Sequence, residues 1–131
     1  MDLKQYFKDT AGTGVLATSD ALGRVDAAIY TNPYVLSENT VVFIMADRLT
    51  RKNLLSNPGA AYLFMESGEG FSGKRLFLTM TREGTGQDES DAALLEWYQA
   101  SRQKYPEDTL YLAYFRVDEV LPLVSELKSS Y

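Results

Sequence analysis

The stretch VVFIMADRLTRKNLLSNP, Val41 to Pro58, decides how this chain is read. Val41 to Met45 is a β-branched, aromatic and apolar run, the composition of a buried strand. It breaks at Ala46-Asp47 into Arg48-Leu49-Thr50-Arg51-Lys52-Asn53-Leu54-Leu55, so a strand hands over directly to a helix start. Thr50 is the expected cap, because the first backbone N–H groups of a helix have no internal partners. Arg48, Arg51 and Lys52 crowd the same turn with positive charge. Each opposes the helix dipole at a cost of roughly 0.3–1 kcal/mol, whereas a bound phosphate reverses the sign of that effect. The plainer reading is a surface helix whose cations face water. Three cations at one helix entrance, in a chain of formal net charge -5, favour an anionic ligand.

Outward from this junction the chain reads as short strands. Asp2 followed by Gln5 is a capping box for a brief amphipathic helix carrying Leu3, Tyr6 and Phe7 and ended by Gly12. Thr13 to Ser19 alternates between two faces and turns through Asp20-Ala21-Leu22-Gly23 into a return strand from Arg24 to Tyr30 or beyond, interrupted at Asn32-Pro33. Ser37-Glu38-Asn39 turns the chain into Val41. After the central helix, Asn57-Pro58-Gly59 is a stop, Ala60 to Glu66 a strand, Ser67 to Lys74 a glycine-bearing loop and Arg75 to Glu83 another strand. Asp91 to Tyr105 has the apolar stripe of a helix, with Leu94, Leu95, Trp97, Tyr98 and Ser101 on it, ended by Pro106. Leu110 to Val117 is the last strand, and Val120 to Leu127 an apolar tail expected to pair with the sheet or cap it. Many short strands and three brief helices predict a mainly β domain spanning 1–131, a closed or partly closed antiparallel barrel.

The bulk numbers exclude more than they assign. Hydrophobic residues at 45 % and charged residues at 24 % describe an ordinary globular chain. No apolar run reaches the roughly 20 residues that span a bilayer, and Met1-Asp2-Leu3-Lys4 lacks the apolar core of a signal peptide, so a cytoplasmic address and no membrane partner are expected. The acidic balance argues against nucleic acid, which rewards broad positive surfaces. Cysteine and histidine are both absent. That removes disulfides, thiolate zinc sites, catalytic thiols, Ser-His-Asp triads and imidazole proton transfer. Chemistry, if present, is then expected from an external cofactor that the polypeptide binds, orients and shields.

Three segments carry a family resemblance: GVLATSDALGRVDAAIYTNPYVL from Gly14, TVVFIMADRLTRKNLLSNPGAAYLFME from Thr40, and FSGKRLFLTMTREG from Phe71. Together they resemble the small split-barrel proteins that bind flavin mononucleotide (FMN) and are related to pyridoxamine 5'-phosphate oxidase. The most specific fragment is Thr50-x-x-Asn53-Leu54 followed by Asn57-Pro58. The resemblance implies a six-stranded antiparallel split barrel, an FMN cofactor, a homodimer, and hydride or electron transfer to a small substrate or redox partner. The alternative is a flavin-binding module or electron carrier without turnover.

It also implies which residues meet the cofactor. Arg48, Thr50, Arg51, Lys52 and Asn53 would hold the phosphate end. Ala28, Ile29, Tyr30, Thr31 and Asn32 would run along the flavin ring, with Met45, Ala46 and Asp47 at the end of the next strand and Arg75 as a second charge. A lysine commonly flanks the hydroxyl residue in that family, and Leu49 stands there instead. The true oxidases are longer, with carboxy-terminal substrate residues that do not appear between Leu110 and Tyr131, so vitamin synthesis is not expected. No side chain is assigned as a catalytic acid or base, and none as a metal ligand.

Overall fold

The computed structural model describes residues 2–124. Its elements run α1 (Leu3–Asp9), β1 (Gly12–Ser19), β2 (Val25–Ile29), β3 (Tyr34–Ser37), β4 (Thr40–Ala46), α2 (Leu49–Ser56), β5 (Gly59–Glu66), β6 (Gly73–Gly84), α3 (Ala92–Lys104) and β7 (Leu110–Pro122). All seven strands belong to one sheet in the order β2-β1-β5-β6-β7-β4-β3, and each neighbouring pair is antiparallel.

The expected strand count of six becomes seven for a local reason. Pro33 has no N–H to give a ladder, so the return strand ends at Ile29 and the chain restarts as β3 on the opposite edge of the sheet. The sheet is therefore not closed by hydrogen bonds. It curls instead: Leu16 of β1, Phe43 and Met45 of β4, Tyr62 and Phe64 of β5, Leu76 and Leu78 of β6 and Phe115 of β7 pack into one buried cluster with Leu3 and Phe7 of α1 and Leu54 of α2. Phe43 meets Tyr62 across this interior with ring centroids 4.9 Å apart.

Local chemistry explains the turns. The Asp2 carboxylate accepts the Gln5 N–H at 3.1 Å and caps α1. In the β1–β2 turn the Asp20 carboxylate accepts the N–H groups of Leu22 and Arg24, each at 2.9 Å, and Gly23 supplies the positive φ of 86°. On β1 it is Gly14, Leu16 and Thr18 that face inward. Gly14 is required by close approach: a Cβ there would lie 1.9 Å from the Tyr62 hydroxyl oxygen.

The other face of β4 and β7 is covered by α3. Leu94 and Tyr98 pack onto Val42, Leu110, Leu112 and Tyr114, and Asp91 caps the helix by accepting the Leu94 N–H at 2.9 Å. The first part of the expected tail, Val120 to Pro122, belongs to β7 and pairs with Leu76 to Lys74. The remainder, from 125 onward, lies outside the described residues. Among the described residues no helix is long and apolar enough to cross a membrane.

Candidate functional site

The curled sheet leaves a gap between its two unlike edges. Among the described residues β2 pairs only with β1, and the Tyr30 N–H donates to the Gly14 carbonyl at 2.9 Å. Antiparallel alternation then directs the backbone groups of Ala27 and Ile29 to the open side. On the far side of the gap, β3 accompanies β4 only as far as the Tyr34–Val42 pair, so Phe43 to Ala46 run on without a strand partner on that flank among the described residues. Tyr30 and Phe43 come within 5.9 Å, ring to ring. A cleft of about 640 Å³ opens along this split. That is an ordinary size for a cofactor site.

Of the residues expected at a site, the fold brings together Ala28, Ile29, Tyr30, Thr31, Asn32, Met45, Ala46, Arg48 and Thr50 in the cleft lining. The backbone of Tyr30 and Thr31 is fixed from behind, because the Tyr62 hydroxyl meets both carbonyl oxygens at 3.1 Å. Asn32 is held as well: its side-chain amide donates to the carbonyls of Phe7 and Thr10 at 3.0 and 3.2 Å. Burial pushes the Tyr30 phenol above its usual range, while a hydrogen bond with Thr50 acts in the opposite sense and the Asp26 charge adds to the rise. Tyr30 is thus a neutral phenol at physiological pH.

The basic turn is arranged differently from what its composition suggests. The helix begins at Leu49 with Arg48 in the N-cap position, and no side chain caps it. Thr50 is the second helical residue, buried beside Tyr30 rather than acting as the cap. Asn53 is turned inward and donates to the Thr18 hydroxyl at 3.1 Å, which pins α2 to β1.

Asp47, Arg51, Lys52, Asn53 and Arg75 lie outside the cleft lining. Arg51 forms a two-pronged contact with Glu83, both distances 2.8 Å, donates to Asp47 at 2.9 Å and stacks on the Tyr111 ring at 3.8 Å. The Glu83 hydrogen bond is the main reason that its guanidinium stays protonated well beyond the ordinary range. Arg75 donates to the Pro122 carbonyl at 2.9 Å, on β6 between Leu63 and Leu121. Lys52 is exposed.

A test follows for Arg51. Its side chain is 17 % exposed and joined to two carboxylates, so Arg51→Ala should lower folding stability by about 2 kcal/mol, the range for losing hydrogen bonds between charged groups. Chemical denaturation checks this, and an unchanged midpoint would contradict the structural role.

Reasoning from the sequence left out one whole wall of the cleft. Trp97, Ser101, Lys104 and Tyr105 of α3 and its end, with Asp108 and Leu110 beyond, line it opposite β2. Their spacing of i, i+4, i+7 and i+8 was the available signal, since it places them on one helix face. It was hidden because the same stripe includes Leu94 and Tyr98, which are core. Trp97 also stacks on Tyr34, whose hydroxyl donates to Asp91 at 2.8 Å. Among the described residues no cluster of acidic side chains could hold a metal ion.

No family model matches the chain, and no curated protein does. Solved structures match along nearly its whole length. An FMN-binding protein from Syntrophomonas wolfei superposes with a TM-score of 0.73 at 14 % identity, covering 96 % of this chain and 86 % of its own. A candidate pyridoxamine 5'-phosphate oxidase from Lactobacillus delbrueckii gives a TM-score of 0.64 at 14 % identity, covering 92 % of both chains. The chain has the split-barrel fold of FMN-binding proteins. A heme-binding protein from Mycobacterium smegmatis has the same split barrel, with a TM-score of 0.62 at 17 % identity over 92 % of this chain and 52 % of that one. The split barrel alone therefore does not select a cofactor.

Proposed function

We propose that the cleft binds FMN and that the protein is a flavin-dependent oxidoreductase acting on a small substrate. The observation that carries this reading is the junction of an uncapped helix entrance with an open strand edge in one cleft. The first-turn N–H groups of α2, which the Arg48 side chain does not cap, the Thr50 hydroxyl and the guanidinium of Arg48 suit a phosphate. Lys104 lines the same cleft and adds a second positive charge. The open edge at Ala27 and Ile29 offers backbone donors and acceptors, and the partly exposed Ile44, Ala46 and Trp97 offer apolar surface for a planar ring. Absence of His and Cys, the commonest axial ligands of heme iron, favours flavin over heme.

FMN, when bound, supplies hydride or single-electron chemistry. The residues of this chain bind and orient it. Tyr62 and Asn32 hold the strand end through hydrogen bonds, and residues of α3 line the cleft. None of the side chains lining it is assigned proton transfer, which keeps a non-catalytic flavin carrier as the alternative. Titrating the purified protein with FMN and following quenching of flavin fluorescence tests the reading; no quenching at stoichiometric protein would refute it. Reducing the bound flavin and following its reoxidation by small acceptors separates an enzyme from a carrier.

The same reading includes a homodimer. The outer face of β2, β1, β5 and β6 carries Ile29, Val15 and Leu63 in one register row, with Arg75 at its β6 end, and Ala27, Ala17, Ala61 and Phe77 in the next. Ile29, Leu63, Met65 and Phe77 are all exposed there. Such a contiguous apolar face marks an interaction surface, and Ile29 belongs both to it and to the cleft. A second copy seated on this face would border the cofactor. Leu63→Glu combined with Phe77→Glu should convert a dimer into a folded monomer in sedimentation velocity; a dimer that persists would place the interface elsewhere.

A further inference from the structure

The two arginines of the α2 entrance differ in a way that affects ligand choice. Arg51 is enclosed by Glu83, Asp47 and Tyr111 and is committed to the fold. Among the described residues the Arg48 side chain has a single hydrogen-bond partner: its Nη2 donates to Asp108 Oδ1 at 3.0 Å, with the Arg48 side chain 72 % exposed. Both partners line the cleft. Asp108 lies in the connection from α3 to β7, where its N–H donates to the Tyr105 carbonyl at 3.2 Å. The pair therefore bridges the end of the α3 wall and the start of α2, at the end of the cleft where an anionic group would dock.

An exposed, single-contact ion pair is weak and exchangeable. A ligand phosphate, carrying nearly two negative charges at neutral pH, competes for the same guanidinium and meets the Asp108 carboxylate as a like charge. Resting on the FMN reading, we propose that Asp108 is a specificity-determining residue, an internal anion that occupies Arg48 and holds down the affinity of the cleft for phosphorylated over neutral ligands. Binding of the phosphate displaces Asp108 from Arg48. A neutral ligand with the same ring leaves the pair intact.

The test compares FMN with riboflavin, which shares the ring and lacks the phosphate, on the wild-type protein and on Asp108→Asn, by fluorescence quenching. The expected result is FMN binding about three- to tenfold tighter in Asp108→Asn, with riboflavin changed by less than about twofold. The gain should disappear in the Arg48→Ala, Asp108→Asn double variant, because the carboxylate acts through that cation. Equal or weaker FMN binding by Asp108→Asn would overturn the proposal and assign Asp108 to positioning Arg48. A wild-type protein that binds neither ligand would overturn the FMN reading itself, and this inference with it.

Discussion

Tyr62→Ala is expected to cost about 3–5 kcal/mol of folding free energy and to lower the thermal midpoint by on the order of 10–20 °C. The residue is fully buried where the curled sheet meets itself. Its ring packs edge-on against Phe43 at 4.9 Å and near-parallel to Phe64 at 6.3 Å, and it reaches Phe7 of α1 at 6.3 Å. Alanine leaves a cavity that β4, β5 and α1 cannot all collapse to fill. The hydroxyl adds a second role, because its one proton is shared between the carbonyls of Tyr30 and Thr31 at the cleft. Tyr62→Phe keeps the ring and should cost only about 1 kcal/mol, while loosening the segment that lines the cleft. Thermal unfolding monitored by circular dichroism measures both; a loss below about 1 kcal/mol for Tyr62→Ala would show that the interior is not packed through this ring.

The second large effect concerns ligand binding. Arg48→Glu should weaken FMN on the order of 30-fold, about 2 kcal/mol, and leave riboflavin nearly unchanged. The reversal removes the exposed cation at the helix entrance and places a carboxylate beside Asp108, so a phosphate would meet repulsion where it met attraction. Fold stability should move little, since exposed pairs of this kind contribute between zero and about 1 kcal/mol. Isothermal titration with both ligands distinguishes the outcomes. Equal loss for FMN and riboflavin would mean that Arg48 shapes the cleft rather than holding a phosphate.

Arg51 and Arg48 show where reading the sequence reached its limit. Both are plain in the stretch from Val41 to Pro58, and there they read as an excess of positive charge. Their partners are not local: Glu83 lies 32 residues from Arg51, and Asp108 lies 60 residues from Arg48. Composition at one turn cannot tell a cation awaiting a ligand from one already neutralised by β6. Thr50 carries a similar lesson. A hydroxyl residue at a helix start reads as a cap, yet the curl of the sheet places it against Tyr30 and leaves the capping position to Arg48.

Elements set by neighbours along the chain were legible. Asp2 caps α1, Asp20 and Gly23 make the first turn, and the apolar run at Val41 becomes the buried β4, because each depends on alternation, capping chemistry or backbone freedom within a few residues. Pro33 marks an interruption in the sequence, but its result, a seventh strand on the far edge, depends on where β4 stands. The α3 wall was missed for the same reason. Its stripe signals burial, and only packing against β4 and β7 divides the residues that fill the interior from those that face the cleft.

By itself, then, the sequence determined most of the strands and the capped start of α1, since those follow from residue types and their short-range spacing. Tertiary structure alone decided which side chains share the cleft and which arginine remains exchangeable there. Contacts between residues far apart in the chain set both burial and charge pairing, and neither is encoded at any one position.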